Sequence, residues 1–186
     1  MSSNRSFFGK RIGVALSMSN FQNPAITGEI KRLLVAGAEI CLVLLDPRQE
    51  SVHKKPVPVQ SLERAMHRHK TTKEKMVDLW IIIPESESLL LYLVKHVKNE
   101  QTVPLVLLPV FRDNPNGTLR HLSRLMEHEQ VYFVPFGVLL NGNRQDQDSD
   151  IPSFFCRTDL LVETCAAALQ GQRIEPAVWE DCIFPH

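Results

Sequence analysis

The chain has no surplus of charge of either sign: 21 basic side chains balance 21 acidic ones over 186 residues. Without a long-range field, attraction to nucleic acid or to an anionic membrane surface is not expected. Near-zero charge also lowers the barrier to self-association, so a homo-oligomer is expected. No stretch of about 18 uninterrupted apolar residues occurs, and residues 1–8 carry no apolar run of signal-peptide length. The four cysteines, Cys41, Cys156, Cys165 and Cys182, form no C-x-x-C pair and have no ligand spacing with histidine. That disfavours a zinc site and predicts no bound metal. Reduced thiols and the absent leader together predict a cytoplasmic protein. Glycine is scarce, at 8 residues, and no G-x-G-x-x-G is present, which argues against a dinucleotide. No Ser-His-Asp or Cys-His order stands out, and there is no nucleophile-elbow motif.

What the chain does have is enough length for one core. A domain of this size buries about 70% of the surface its unfolded form exposes, so residues 1–186 are expected to form a single domain, with a core over 9–171 and a tail over 172–186. Five short apolar stretches, at 11–16, 39–45, 78–83, 104–110 and 131–134, have the length and composition of buried strands. Between them lie helical patterns. Asn23-Pro24 supplies a cap and a preorganised first helical residue, Ile26, Ile30, Leu33 and Leu34 recur at helical spacing, and Gly37 stops the helix. Val59, Leu62 and Met66 mark a second helix, followed by a basic run over 67–75 that reads as a solvated face or a partner patch. Ser86 caps a third, with Leu90, Leu93, Val94 and Val97 on one face. Asn114-Pro115-Asn116-Gly117 is turn chemistry leading into a fourth, with Leu119, Leu122 and Met126 inward. A last helix over 158–169 presents Leu161, Cys165, Ala168 and Leu169. Alternating strands and helices predict an α/β fold, a three-layer sandwich with a mainly parallel sheet of five or more strands.

In such sheets ligands bind beyond the carboxyl ends of the strands. The turns that matter are therefore 17–23, 46–58, 84–88, 110–117 and 135–153. At the first, the hydroxyls of Ser17 and Ser19, with Asn20, have two readings: they hold a monophosphate, or they only cap a helix and a turn. No glycine lies between Gly13 and Gly28, so the backbone cannot approach a pyrophosphate closely. At the third strand, Ser86 and Ser88 could meet a cofactor's ring or ribityl chain, or could simply cap. Glu85 and Glu87 beside them would repel a phosphate. The seven histidines read mostly as surface groups, Cys41 as mid-strand core and Cys165 as an inert buried thiol.

Gly9-Lys10-Arg11-Ile12-Gly13, Asn116-Gly117 through Leu125-Met126, and Val131-Tyr132-Phe133-Val134-Pro135-Phe136-Gly137 together resemble the family of the dipicolinate synthase B subunits. That family belongs to the flavoprotein-like superfamily, which also holds the phosphopantothenoylcysteine decarboxylases. Ser153, Asp159-Leu160-Leu161, Leu169-Gln170-Gly171-Gln172 and Ile174-Glu175-Pro176 extend the likeness to the tail. The resemblance implies a Rossmann-like, flavoprotein-like fold, flavin mononucleotide (FMN) as cofactor, and homo-oligomers. It also implies a role beside a dehydrogenase-like A subunit in dipicolinate formation during sporulation. The cofactor-facing positions it points to are Ser17, Ser19, Asn20, Ser86, Ser88, Phe136 and Ser153; it names no catalytic residue. Three turns depart from the family. Ser17-Met18-Ser19-Asn20 stands where the family has Thr-Gly-Ser-His, and Ser86-Glu87-Ser88-Leu89 where it has Thr-Gly-Asn-Ser. Leu108-Pro109-Val110-Phe111 replaces a polar turn. Each lost polar contact to a flavin would cost about 1 kcal/mol or more. The departures predict a degenerate flavin site with FMN absent, and leave two functions open: an enzyme component like those B subunits, or a scaffold or regulatory paralogue of the same fold.

Overall fold

The computed structural model describes residues 7–45, 77–100, 103–111, 115–139, 153–175 and 177–179. The readings made above for residues 46–76 and 140–152, and for Cys182, lie outside these. Five strands, β1 (Arg11–Ser17), β2 (Glu39–Leu45), β3 (Leu79–Ile82), β4 (Leu105–Leu107) and β5 (Val131–Phe133), form one sheet in the order β2-β1-β3-β4-β5. Every pairing in it is parallel. The expected α/β architecture is therefore present, and it has the three expected layers.

The layers follow from strand alternation. Ile12, Val14 and Leu16 of β1, with Leu79 and Ile81 of β3, face the helices α2 (Pro24–Val35) and α5 (Leu161–Leu169). Their neighbours Ala15, Trp80 and Ile82 face α3 (Glu87–Glu100) and α4 (Pro115–Met126) instead. Both faces are apolar because both are covered, the usual condition of a parallel sheet. The helix ends obey local chemistry. The Asn23 side chain accepts the Ala25 N–H at 3.0 Å with Pro24 in the first turn, and α2 gives way to Gly37 at φ 97°. On the outer surface Arg32 binds Glu29 at 2.8 Å and Glu163 at 3.1 Å, tying α2 to α5. The Arg32–Glu163 pair is half-exposed and contributes little stability, whereas the Glu29 carboxylate is buried beneath the guanidinium.

Several expectations are corrected. The second strand is not buried: β2 is a sheet edge, with Leu42 and Leu44 40% and 43% exposed, and Cys41 is only half-buried. Leu34 and Leu119 face outward rather than into the core. The fourth helix begins at Pro115, so Asn116-Gly117 lies inside it rather than in a turn. The chain does not turn back to a ligand edge at Pro135. It enters a second sheet in which β6 (Phe136–Leu139) pairs antiparallel with β7 (Ser153–Cys156) and parallel with β8 (Val178–Trp179). The tail thus adds a strand, and the last helix is preceded by a 3₁₀ turn, Thr158–Leu160. Strands this short, paired across long sequence separations, leave too little period-2 signal to be read locally.

One contact constrains β1 more tightly than burial does. Gly13 lies beside Trp80 in the β1–β3 register, and a Cβ built on Gly13 would fall 2.4 Å from Trp80 Cε3. The indole is 3% exposed and has no free side to move toward. Gly13→Ala is expected to destabilise the fold by about 1–3 kcal/mol through overpacking. The midpoint of urea unfolding followed by tryptophan fluorescence measures this, and an unchanged midpoint would refute it.

Candidate functional site

In the order β2-β1-β3-β4-β5 the direction of winding reverses between β1 and β3, and ligands of open α/β sheets bind at that crevice, outside the carboxyl ends. A polar residue ends β1, and another follows three residues past the end of β3. β1 ends at Ser17, which caps the short helix α1 (Met18–Phe21) by accepting the Asn20 N–H at 3.2 Å. Past the end of β3, Ile83 and Pro84 are buried and Glu85 emerges into solvent.

Glu85 bridges back to the end of β1. Its Oε1 accepts a short hydrogen bond from Ser17 Oγ and another, at 2.7 Å, from Ser19 Oγ. The two hydroxyl oxygens are 3.0 Å apart. The sequence casts Glu85 as a neighbouring charge; in the fold it sits on the hydroxyls that were the phosphate candidates. Asn20 is 5% exposed, and its side-chain nitrogen has no hydrogen-bond partner among the described residues.

The other predicted positions divide between the start of α3 and the second sheet. Ser86 Oγ caps α3 by accepting the Leu89 N–H at 3.4 Å, and it lies 3.1 Å from Ser88 Oγ. Glu87 Oε1 is 3.3 Å from Nε2 of His121, which links the first turn of α3 to α4. His121 is 9% exposed, so the expectation of a surface histidine fails there: helical spacing turns it toward the α3–α4 seam. Phe136 is 1% exposed, with its ring centroid 5.8 Å from that of Phe133. It is a core side chain at the start of β6 rather than part of an open turn. Ser153 lies on β7 opposite Leu139. After β4 the chain is apolar and packed, with Leu108 and Phe111 0% and 7% exposed. Sequence reading missed the Ser17–Glu85 and Glu87–His121 pairings, whose partners are far apart in the chain. A depression of about 210 Å³ lined by Met126, Phe133, Arg173 and Val178 lies apart from the β1–β3 crevice. Among the described residues no group of three or more His, Cys, Asp or Glu could hold a metal. No described helix is long and apolar enough to cross a membrane.

Two thiols are tuned by burial. Desolvation pushes Cys165 up, aided by Glu163, and does the same to Cys156, aided by Asp159. Cys156 Sγ donates to the Pro135 carbonyl at 3.5 Å. Cys165 lies on the inward face of its helix, fully buried, and burial favours the protonated form of both thiols.

Three outcomes follow from this geometry. Native protein at pH 8 should leave Cys156 and Cys165 unmodified by iodoacetamide, both reacting after unfolding, as peptide mass mapping would register. Since their folded pKa values lie above the unfolded value near 9.0, the stability they contribute is complete below that pH. It declines as pH rises past it. Ser17→Ala removes both a helix cap and a bridging hydroxyl, and should lower unfolding stability by about 1–2 kcal/mol; equal urea midpoints would contradict this.

No family model matches the chain, and no curated protein matches it in sequence. Among solved structures, the crystal structure of the B subunit of dipicolinate synthase from Bacillus halodurans C is similar, with a TM-score of 0.66 and 20% identity. The match covers 94% of this chain and 98% of that one. At that identity the likeness is one of fold, and the chain has the Rossmann-like, flavoprotein-like α/β fold of that structure.

Proposed function

We propose that this chain is a counterpart of the dipicolinate synthase B subunit that works by association with a dehydrogenase-like partner chain, and that its own crevice does not hold a flavin. The observation that carries the reading is the Glu85 carboxylate, which takes the Ser17 and Ser19 hydroxyls at the β1–β3 switch point. A flavin phosphate placed there would meet a negative charge instead of donors. The surroundings do not fit the cofactor either. The first turn has no glycine to admit close backbone approach, and Pro109 after β4 has no N–H to offer. The residues therefore do not suit FMN. What this chain contributes on this reading is surface and shape, in cytoplasmic dipicolinate formation during sporulation. The exposed Leu42 and Leu44 on edge strand β2 support the expectation that it also pairs with copies of itself.

A second reading keeps the chain as a flavin-dependent enzyme component. It is favoured by the extent of the structural match, which spans nearly the whole of both chains. The two readings part on one measurement. Titration of purified protein with FMN should give no stoichiometric quenching of flavin fluorescence, and the preparation should be colourless. A yellow protein with one flavin per chain establishes the second reading. For the partner, co-expression with a dehydrogenase-like chain should yield a complex on size-exclusion chromatography with light scattering; separate elution of the two chains counts against association.

A further inference from the structure

We propose that Glu85 is a built-in occupant of an oxyanion cradle: it fills the place of a phosphate monoester, and its removal opens the crevice to inorganic phosphate. The proposal deepens, and rests on, the reading that the crevice takes no flavin.

Proton bookkeeping supports it. Ser17 is 3% exposed, and its oxygen already accepts the Asn20 N–H at 3.2 Å. Its single hydroxyl proton goes to Glu85 Oε1. The Ser19 proton goes to the same oxygen at 2.7 Å. With both protons donated to the carboxylate, neither hydroxyl has one left for the other. Their 3.0 Å approach is what convergence on one acceptor produces. Two hydroxyls from one turn aimed at a single anionic oxygen form a receptor for an oxyanion. Here the oxyanion belongs to the chain itself.

A second observation points the same way. Asn20, the residue after Ser19, gives its backbone N–H to Ser17 Oγ, and its buried side-chain nitrogen is a donor with no acceptor among the described residues. A carboxylate presents two oxygens and a phosphate presents three or four, so a larger oxyanion would have an oxygen to spare for such a donor. Glu85 is exposed, and its side-chain tip carries the bonds to both hydroxyls. Occupancy is thus governed by one flexible side chain, and the charge it carries excludes a second anion from the same donors.

The test compares full-length wild type, Glu85→Ala and Glu85→Gln in inorganic phosphate against chloride at matched ionic strength. Melting temperature and isothermal titration are the two readouts. Wild type should show no phosphate-specific shift. Glu85→Ala should melt lower in chloride and recover in phosphate, with an apparent phosphate affinity at least about tenfold above wild type. Glu85→Gln keeps an oxygen that can accept both hydroxyls, so it should melt near wild type and stay insensitive to phosphate. Glu85→Ser, another shortened side chain, gives the same comparison should Glu85→Ala fail to fold. A phosphate response of Glu85→Ala equal to that of wild type overturns the proposal and leaves the flavin-free reading intact. Stoichiometric FMN uptake by wild type overturns both.

Discussion

The register between β1 and β3 is the constraint on which the described structure turns. Ile12 pairs with Leu79 and Ala15 with Ile82. The first rung is pinned from below by Asp78, which accepts the Arg11 N–H at 2.7 Å and lies 3.5 Å from Lys10 Nζ. The last is extended by the Ile83 N–H on the Ala15 carbonyl at 2.9 Å. Counting upward from Ala15 and Ile82, Ser17 reaches the height of Pro84, and Glu85 is the next residue. Slipping the pair by one residue would take Gly13 from under the Trp80 ring and set a side chain against it. The packing that fixes the middle of the sheet therefore also fixes which polar groups meet at its rim.

Much of the scaffold was legible in the chain because its signals are local. Each strand of the parallel sheet is a short apolar run, Asn23-Pro24 states where α2 begins, and Gly37 where it ends. These features depend on backbone geometry within a few residues. What was not legible depends on pairing across the chain. The edge position of β2 follows from strand order, which no window of sequence contains. The second sheet joins Phe136 to Cys156 and to Val178, and its two- and four-residue strands carry no periodicity long enough to register. His121 reads as one polar residue on an amphipathic helix, and its burial follows from the approach of α3. At the candidate site the hydroxyls could be picked out, since Ser17-Met18-Ser19 follows directly on a strand. The partner that occupies them is 68 residues away in the case of Ser17.

The core and the rim of this molecule answer to different physical demands. The similarity to a dipicolinate synthase B subunit extends over nearly all of both chains at 20% identity, which is what layered packing can preserve when individual contacts change. Volume and pattern in Ile12, Val14, Leu16 and their partners are enough to keep such a sandwich. The rim is under a different demand. Each polar group there either meets a ligand, meets water or meets the protein, and a change in one side chain can switch among these without disturbing the layers beneath.

A carboxylate attached to the chain has an advantage over any free ligand that would use the same donors. Tethering makes the encounter intramolecular, with an effective concentration of about millimolar for a short flexible link. The bond to Ser17 then joins the end of β1 to the end of β3 in the absence of any other molecule. Part of what a ligand would contribute to the rim is thereby supplied by the fold. An acid at this position joins the strand ends through a group that cannot diffuse away. The layers beneath are indifferent to this bond, since the register of β1 and β3 sets which groups meet at the rim and not what they bind.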